Sequence, residues 1–254
     1  MTSVIWTERY EVNTLVVNAQ KRLGLVGVLK ILQDVAWIHG GRLGHGFDAM
    51  MSRGWIWVLA RQKLMMRAWP AWGETLEVST WVRPVSGLLV HRDYEIRAGG
   101  RKVGEGVASW LVLDAKTRKP LKPALGDAGL ATRDDGGFGI TPAKIAPADD
   151  LPPLARFRVQ TSDLDVNGHV NNVRYAQWIL DAAPGSAHEA YVVRDYEVNF
   201  LIETRVGDEV IIEWDGAGAA PLDGLRFQGR REQDGRVVFA ARLQIQPRDD
   251  AGKH

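Results

Sequence analysis

A chain of 254 residues, 45% hydrophobic and 25% charged, has the composition of a globular protein with one large core or two modest ones. With no cysteine it excludes disulfides, thiolate metal sites and a cysteine nucleophile. Its formal net charge of +1 excludes binding to nucleic acid through bulk charge. The charge is uneven, however. From Met51 to Pro123 there are thirteen Lys/Arg against six Asp/Glu, a net +7, whereas Leu151 to His254 has twelve against sixteen, a net −4. Solvated strand faces account for such a bias in the ordinary case. The functional alternative is a basic surface in the first half that receives an acidic partner.

Met1 to Trp6 has no export-signal pattern and runs directly into strand-like sequence, Ile5 to Val17. A cytoplasmic protein is therefore expected. Lys21-Arg22-Leu23-Gly24 is a turn. Leu25, Val28, Leu29, Leu32, Val35, Ala36 and Leu43 recur at helical spacing, with Val26, Ile31 and Ile38 on further faces. A helix apolar nearly all round is a buried one. Lys30, Gln33, Asp34 and His39 interrupt it, so it is a poor membrane span. Gly40-Gly41 and Gly44-His45-Gly46 then loosen the chain. Strands follow at Trp55–Met65 and Thr75–Arg83. Beyond the Ser86-Gly87 turn, Leu88–Arg97 and Lys102–Leu113 form a hairpin.

From Asp114 to Asp150 the periodicity fades among Pro120, Pro123, Pro142, Pro147 and the run Asp134-Asp135-Gly136-Gly137. This is linker character. The chain is therefore divided into 1–123, a linker at 124–150, and 151–254. The second part repeats the first: a short strand at Phe157–Gln160, a helix at Val173–Ala183, then strands at Ala190–Leu201, Glu209–Trp214, Leu225–Arg231 and Val237–Gln246. Gly73-Glu74-Thr75 and Gly207-Asp208-Glu209 occupy the same place in each half.

The stretch richest in chemistry is Asp163-Leu164-Asp165-Val166-Asn167-Gly168-His169-Val170-Asn171-Asn172. Asp, Asn and Gly are turn formers, and Asn171 or Asn172 can cap the helix that follows. An isolated Asp-x-Asn ordinarily makes an Asx turn, and a lone histidine is ordinarily structural. The first half reads Asn18-Ala19-Gln20-Lys21-Arg22-Leu23 at the matching place, without the acid and the imidazole. His39, His45 and His91 have no metal-ligand spacing. No cofactor is expected.

Asp163 to Val173 with Tyr175 and Trp178 resembles the catalytic-loop signature of the acyl-acyl-carrier-protein thioesterases of plants and bacteria. Ile56-Trp57-Val58 with Arg61, Trp72-Gly73-Glu74-Thr75, Thr80-Trp81-Val82, Arg92-Asp93 and Ser109-Trp110 resemble the family's first half. The resemblance implies an α+β double hotdog, two antiparallel sheets each wrapped around a central helix. It implies that the first half binds the acyl chain, and that the second releases free fatty acids from acyl carrier protein. It carries the family's functional residues onto Asp165, Asn167 and His169, and an acidic member onto Glu203 in Phe200-Leu201-Ile202-Glu203-Thr204. Plant members have a cysteine where this chain has Thr204, so a Cys-His-Asn triad does not apply here.

In that reading Asp165 attacks the thioester carbonyl or deprotonates a water. Asn167 donates to the oxyanion or holds the water, His169 supplies a proton, and Glu203 orients it. The implied partner is acyl carrier protein bearing a fatty acyl-phosphopantetheine, with no nucleic acid, no membrane span, and a homodimer allowed. Arg61, Lys63, Arg92, Arg118 and Lys119 are the cations expected to meet it. The alternatives are a thioesterase for acyl-coenzyme A or a polyketide intermediate and, more distantly, an acyl-binding protein without turnover.

Overall fold

The computed structural model describes residues 4–85, 87–121, 130–133, 138–216 and 224–248. Residues 124–129 and 134–137 of the expected linker, with Asp134-Asp135-Gly136-Gly137, and Ser86 of the expected turn lie outside them. The chain divides into two compact units, Met1–Pro142 and Ala143–His254.

The first unit holds β1 (Trp6–Glu11), α1 (Leu25–Arg42), α2 (Phe47–Ser52), β2 (Trp55–Met66), β3 (Thr75–Val82), β4 (Leu89–Ala98), β5 (Arg101–Asp114) and β6 (Pro120–Leu121). Its strands pair antiparallel in the order β1-β3-β4-β5-β2, with β6 on β5. The second unit holds β7 (Pro153–Arg158), α3 (Asn172–Ala182), α4 (Gly185–Ala190), β8 (Tyr191–Phe200), β9 (Glu209–Trp214), β10 (Leu225–Arg231) and β11 (Val237–Pro247). Here the order is β7-β9-β10-β11-β8, the same topology. The irregularities repeat as well. Ladder shifts fall at Ile96/Arg97 and Gly229/Arg230, and a second pair sits at Leu59/Arg61 of β2 and opposite Val193/Asp195 of β8. Bulges in the same places twice mark one ancestral register.

Helix α1 forms because its apolar residues exceed one face. Leu25, Val28, Leu29, Ile31, Leu32 and Val35 are all buried, and α1 packs on β1 and β3. Each such side chain removed from water stabilises the fold by about 1.5–3 kcal/mol. Gly27 sets how closely the preceding loop approaches: a Cβ there would lie 2.4 Å from the Val16 carbonyl oxygen. Gly27→Ala therefore forces loop and helix apart. Helix α3 packs on β7 and β9 through Val173, Ala176 and Ile179. Residues 138–148 are strapped onto their own units. Phe138 packs on Trp81 at 5.2 Å and Arg83 donates to the Ile140 carbonyl. Asn199 and Gln228 each accept from and donate to the backbone of residues 143–148.

Three expectations are corrected. The first strand stops at Glu11 rather than Val17, because Asn13 and Asn18 accept the backbone N–H groups of Leu15 and Gln20 and turn the chain away from a ladder. Gly40-Gly41 does not loosen α1, which continues to Arg42. Two glycines cost a helix about 2 kcal/mol, which the burial of Leu43 and the stacking of Arg42 on Trp6 at 3.8 Å oppose. Arg92 is 7% exposed on the α1 side of β4 and is not a surface cation. Helices α2 and α4 are too short for a periodic signal. Among the described residues no helix is long and apolar enough to cross a membrane.

Candidate active site

The loop between β7 and α3 is built by its own side chains. A 3₁₀ turn at Thr161–Asp163 opens it. One oxygen of buried Asp163 accepts from the Gln160 N–H at 2.8 Å, and the other pairs with Arg174 Nε at 3.1 Å. Leu164 and Val170 form a bridge that closes the base of the loop. Within it the Asp165 N–H donates to the His169 carbonyl at 2.8 Å, and the Gly168 N–H donates to the Asp165 carbonyl at 3.0 Å. Gly168 sits at φ +73°, the left-handed region that costs a side chain about 1–2 kcal/mol. Asp165 Oδ1 accepts the N–H groups of Asn167 (2.8 Å) and His169 (3.4 Å). Asn171 caps α3 by accepting from the Val173 N–H at 3.0 Å.

A second segment is tied to this loop. The Val170 N–H donates to the Thr204 carbonyl at 3.2 Å, and Thr204 Oγ1 lies 2.7 Å from the Tyr175 hydroxyl. Both side chains are buried. Burial pushes the Tyr175 phenol up to about 12; the bond to Thr204 opposes this shift, and the charges of Asp208 and Asp165 add to it. The Thr204 hydroxyl is thus taken up inside the core. Its neighbour Glu203 points the other way, with Oε2 3.2 Å from His169 Nε2. The two side chains are 35% and 23% exposed, so water or substrate can reach them. Arg231 fixes the turn behind Glu203 by donating to its carbonyl (3.2 Å) while pairing with Asp208 and Asp234.

Asp165, Asn167 and His169 therefore share one short loop, and Glu203 reaches it from the end of β8. Asp165 and His169 are half-buried, whereas Asn167 is exposed. Sequence reasoning missed Arg174 and Arg231, which hold Asp163 and the Glu203 turn. The signal for Arg174 was present, three residues past the Asn171 cap. For Arg231 there was none, because its partners are brought to it by strand pairing. Among the described residues no cluster of His, Asp or Glu has a metal-binding arrangement.

Asp165, Asn167 and a carboxylate-backed His169 thus share one loop of a hotdog-type scaffold. Solved structures share that scaffold. The 12:0-ACP thioesterase of Umbellularia californica superposes with a TM-score of 0.80 at 19% identity, over 98% of this chain and 96% of that one. An acyl-ACP thioesterase of Bacteroides thetaiotaomicron superposes with a TM-score of 0.78 at 24% identity, over 95% and 98%. Family models for the acyl-ACP thioesterase N-terminal and C-terminal domains match residues 3–124 and 149–245. The chain belongs to the acyl-ACP thioesterase family. Among relatives, a chloroplastic palmitoyl-acyl carrier protein thioesterase of Arabidopsis thaliana is 28% identical over 215 residues, 79% of this chain and 52% of that protein. One of Cuphea hookeriana is 26% identical over 272 residues, 97% and 63%. The chain thus spans between about half and two-thirds of the length of these relatives.

Proposed function

We propose that this chain hydrolyses acyl thioesters carried on acyl carrier protein, and that its active site is Asp165, Asn167, His169 and Glu203. The observation that carries the reading is the approach of Glu203 to His169 at 3.2 Å, on the loop that also bears Asp165 and Asn167. In this reading each unit is a hotdog, a sheet around a central helix, α1 in one and α3 in the other. The acyl tail belongs to the first unit, between α1 and strands β2 and β4. That unit's loop lacks the acid and the imidazole.

The chemistry follows from the side chains. Asp165 supplies the attack, either through its own carboxylate or by taking a proton from water. The thioester carbonyl becomes an oxyanion as the new C–O bond forms. The Asn167 amide donates to that oxygen, a contribution of about 2.7–4 kcal/mol when the donor is well placed. Collapse breaks the C–S bond, and His169 gives its proton to the departing pantetheine sulfur; where Asp165 itself attacked, this leaves an acyl–Asp165 anhydride, which a water hydrolyses to the free acid and the Asp165 carboxylate. Glu203 holds the imidazole and balances its charge. The thiol is a good leaving group, so no metal or cysteine is needed. Arg61, Lys63, Arg118 and Lys119 are the remaining cations of the first unit proposed to meet the acidic carrier; Arg92 drops out because it is buried.

The test is turnover of one acyl chain presented on acyl carrier protein and on coenzyme A. Faster hydrolysis from the carrier protein supports the reading. Preference for coenzyme A moves the chain to the other thioesterase class, and no turnover from either makes it an acyl-binding protein. Label in the Asp165 carboxylate after a single turnover in ¹⁸O water shows that Asp165 attacked as nucleophile, since only an acyl–Asp165 anhydride opens its carbon to water.

A further inference from the structure

One backbone carbonyl is tied down in both units, but from different places. The two loops align through their closing bridges, Val17 with Leu23 and Leu164 with Val170. They align again through the bonds from the Leu23 N–H to the Pro70 carbonyl and from the Val170 N–H to that of Thr204. Arg22 therefore stands where His169 stands, and Trp69 where Glu203 stands. In the first unit Arg22 Nη1 donates to the Trp69 carbonyl at 3.0 Å, so a side chain of the loop holds the facing segment. In the second unit that side chain is an imidazole, and it is turned to the Glu203 carboxylate. The Glu203 carbonyl is taken instead by Arg231 Nη1 at 3.2 Å, from the end of β10.

In the first unit the counterpart of Arg231 is an alanine. Val210 and Leu76 hold the same place after the turns Gly207-Asp208-Glu209 and Gly73-Glu74-Thr75; Arg231 pairs with Val210, and Ala98 pairs with Leu76. Ala98 is buried, so the scaffold closes without a cation at this position. Where the cation is present it is fixed on several sides. Nε and Nη2 take the two oxygens of Asp234 at 3.0 and 2.6 Å, and Nη1 also reaches Asp208 Oδ2 at 3.4 Å. Asp208 Oδ2 accepts from the Arg205 N–H at 3.0 Å, as Glu74 accepts from that of Ala71 in the first unit. Arg231 thus clips the start of the 203–208 turn to its end. The bond from Arg231 holds the Asp234 carboxyl down at about 2, so this pair is charged at neutral pH. A guanidinium gripped along one edge by a carboxylate has little freedom, and its bond to a carbonyl is stronger than one from a neutral donor.

We propose that Arg231 is a positioning residue of the thioesterase site: it replaces, from outside the loop, the tie that Arg22 supplies in the first unit, and so releases position 169 for an imidazole while keeping Glu203 against it. This rests on the reading of His169 and Glu203 as site residues above. An imidazole at position 169 without Arg231 would leave the Glu203 carbonyl without this donor and let the carboxylate move from Nε2. A misplacement of about 1 Å can cost about 10²-fold in rate.

The experiment is steady-state kinetics on an acyl carrier protein thioester. Arg231→Ala, which installs the first unit's residue, should lower kcat by about tenfold with KM unchanged. The alkaline limb of the pH profile reports loss of the proton that His169 gives, and it should move to lower pH as the ring loses its carboxylate. The acids that face the ring or its backbone are Glu203 and Asp165. Removing a cation by charge alone would move the limb the other way. Arg231→Lys keeps the charge without the fork and should recover part of kcat. Because Arg231 acts through Glu203, adding Arg231→Ala to Glu203→Gln should cost nothing further in kcat. A kcat or an alkaline limb that Arg231→Ala leaves unchanged overturns the proposal, as do losses that multiply in the double variant. Melting temperatures test the exchange of ties without turnover. Arg231→Ala should lower Tm, and His169→Arg should raise Tm more in the Arg231→Ala background than in the wild type, because the new arginine takes up the vacated carbonyl. Equal effects in the two backgrounds overturn the proposal. If no thioester is turned over, the hydrolase reading fails, and the melting temperatures still decide this one. If Arg231→Ala does not fold, Arg231→Lys and Asp234→Asn, which loosens the guanidinium, are read in the same way.

Discussion

The two loops that precede the two long helices are built alike, bond for bond. In the first unit the Asn18 N–H donates to the Arg22 carbonyl at 2.8 Å, and the Lys21 N–H donates to the Asn18 carbonyl at 3.0 Å. Asn18 Oδ1 accepts from the N–H groups of Gln20 (3.0 Å) and Arg22 (3.2 Å). Val17 and Leu23 bridge as Leu164 and Val170 do. The Leu23 N–H reaches the Pro70 carbonyl as the Val170 N–H reaches that of Thr204. Position by position, Asn18 stands for Asp165, Gln20 for Asn167, Arg22 for His169 and Trp69 for Glu203. The backbone needs an oxygen acceptor at the first of these places, and an amide serves it as well as a carboxylate. What the second loop adds is a carboxylate in place of an amide and an imidazole in place of a guanidinium.

That comparison is most exposed to Asp165→Asn. The substitution installs the first loop's own acceptor, so stability should stay within about 0.5 kcal/mol. Hydrolysis should fall by about 10³-fold or more, since the attacking group is lost. Retained turnover with an intact melting curve would mean that the two loops differ for a reason other than catalysis. His169→Arg, again the first loop's residue, should lower kcat by about 10²–10⁴-fold. Glu203→Gln acts only through His169. A smaller loss in kcat of about 10–100-fold, with KM unchanged, is expected in steady-state kinetics.

A structural difference comes next. Lys21 occupies at φ +56° the place that Gly168 occupies at φ +73°. Gly168→Ala should destabilise the second unit by about 1 kcal/mol. Lys21→Gly should relieve that strain, and the entropy lost by a glycine on folding should return about 0.5–1 kcal/mol of the gain. Denaturant midpoints of both variants measure the pair. The smallest effect at neutral pH concerns the buried phenols. Burial raises Tyr94 and Tyr175 from 10.0 to about 12 each. The folded protein keeps protons that the unfolded chain releases, so stability is complete below pH 10 and is lost as pH rises through 12. Tyr175→Phe should flatten that fall in alkaline unfolding. It should also cost about 1 kcal/mol at pH 7 by leaving Thr204 without its partner.

Much of this was legible in the chain. The spacing of Leu25, Val28, Leu29 and Leu32 specifies a buried helix, and the turns at Gly207-Asp208 and Asp234-Gly235 bound β9 and β10, whose limits match to the residue. The paired Gly-Asp/Glu turns after β2 and β8 announce the repeat. Asp165, Asn167 and His169 stand together because they are neighbours in sequence, and so local chemistry alone placed them on one loop.

Contacts between distant segments were beyond such reading. Glu203 was placed beside the loop by family resemblance, since nothing in Leu201-Ile202-Glu203 says that strand pairing carries it to 3.2 Å from His169. Arg92 read as one more cation in a basic half, and α1 encloses it. Arg231 read as a hairpin residue, yet it secures the Glu203 turn. Residue type and period are written along the chain, so the sequence by itself determined the two repeats, their elements and the residues capable of chemistry. Burial and charge pairing depend on which strands become neighbours, so only the tertiary structure decided which acid meets the histidine and which cation is buried.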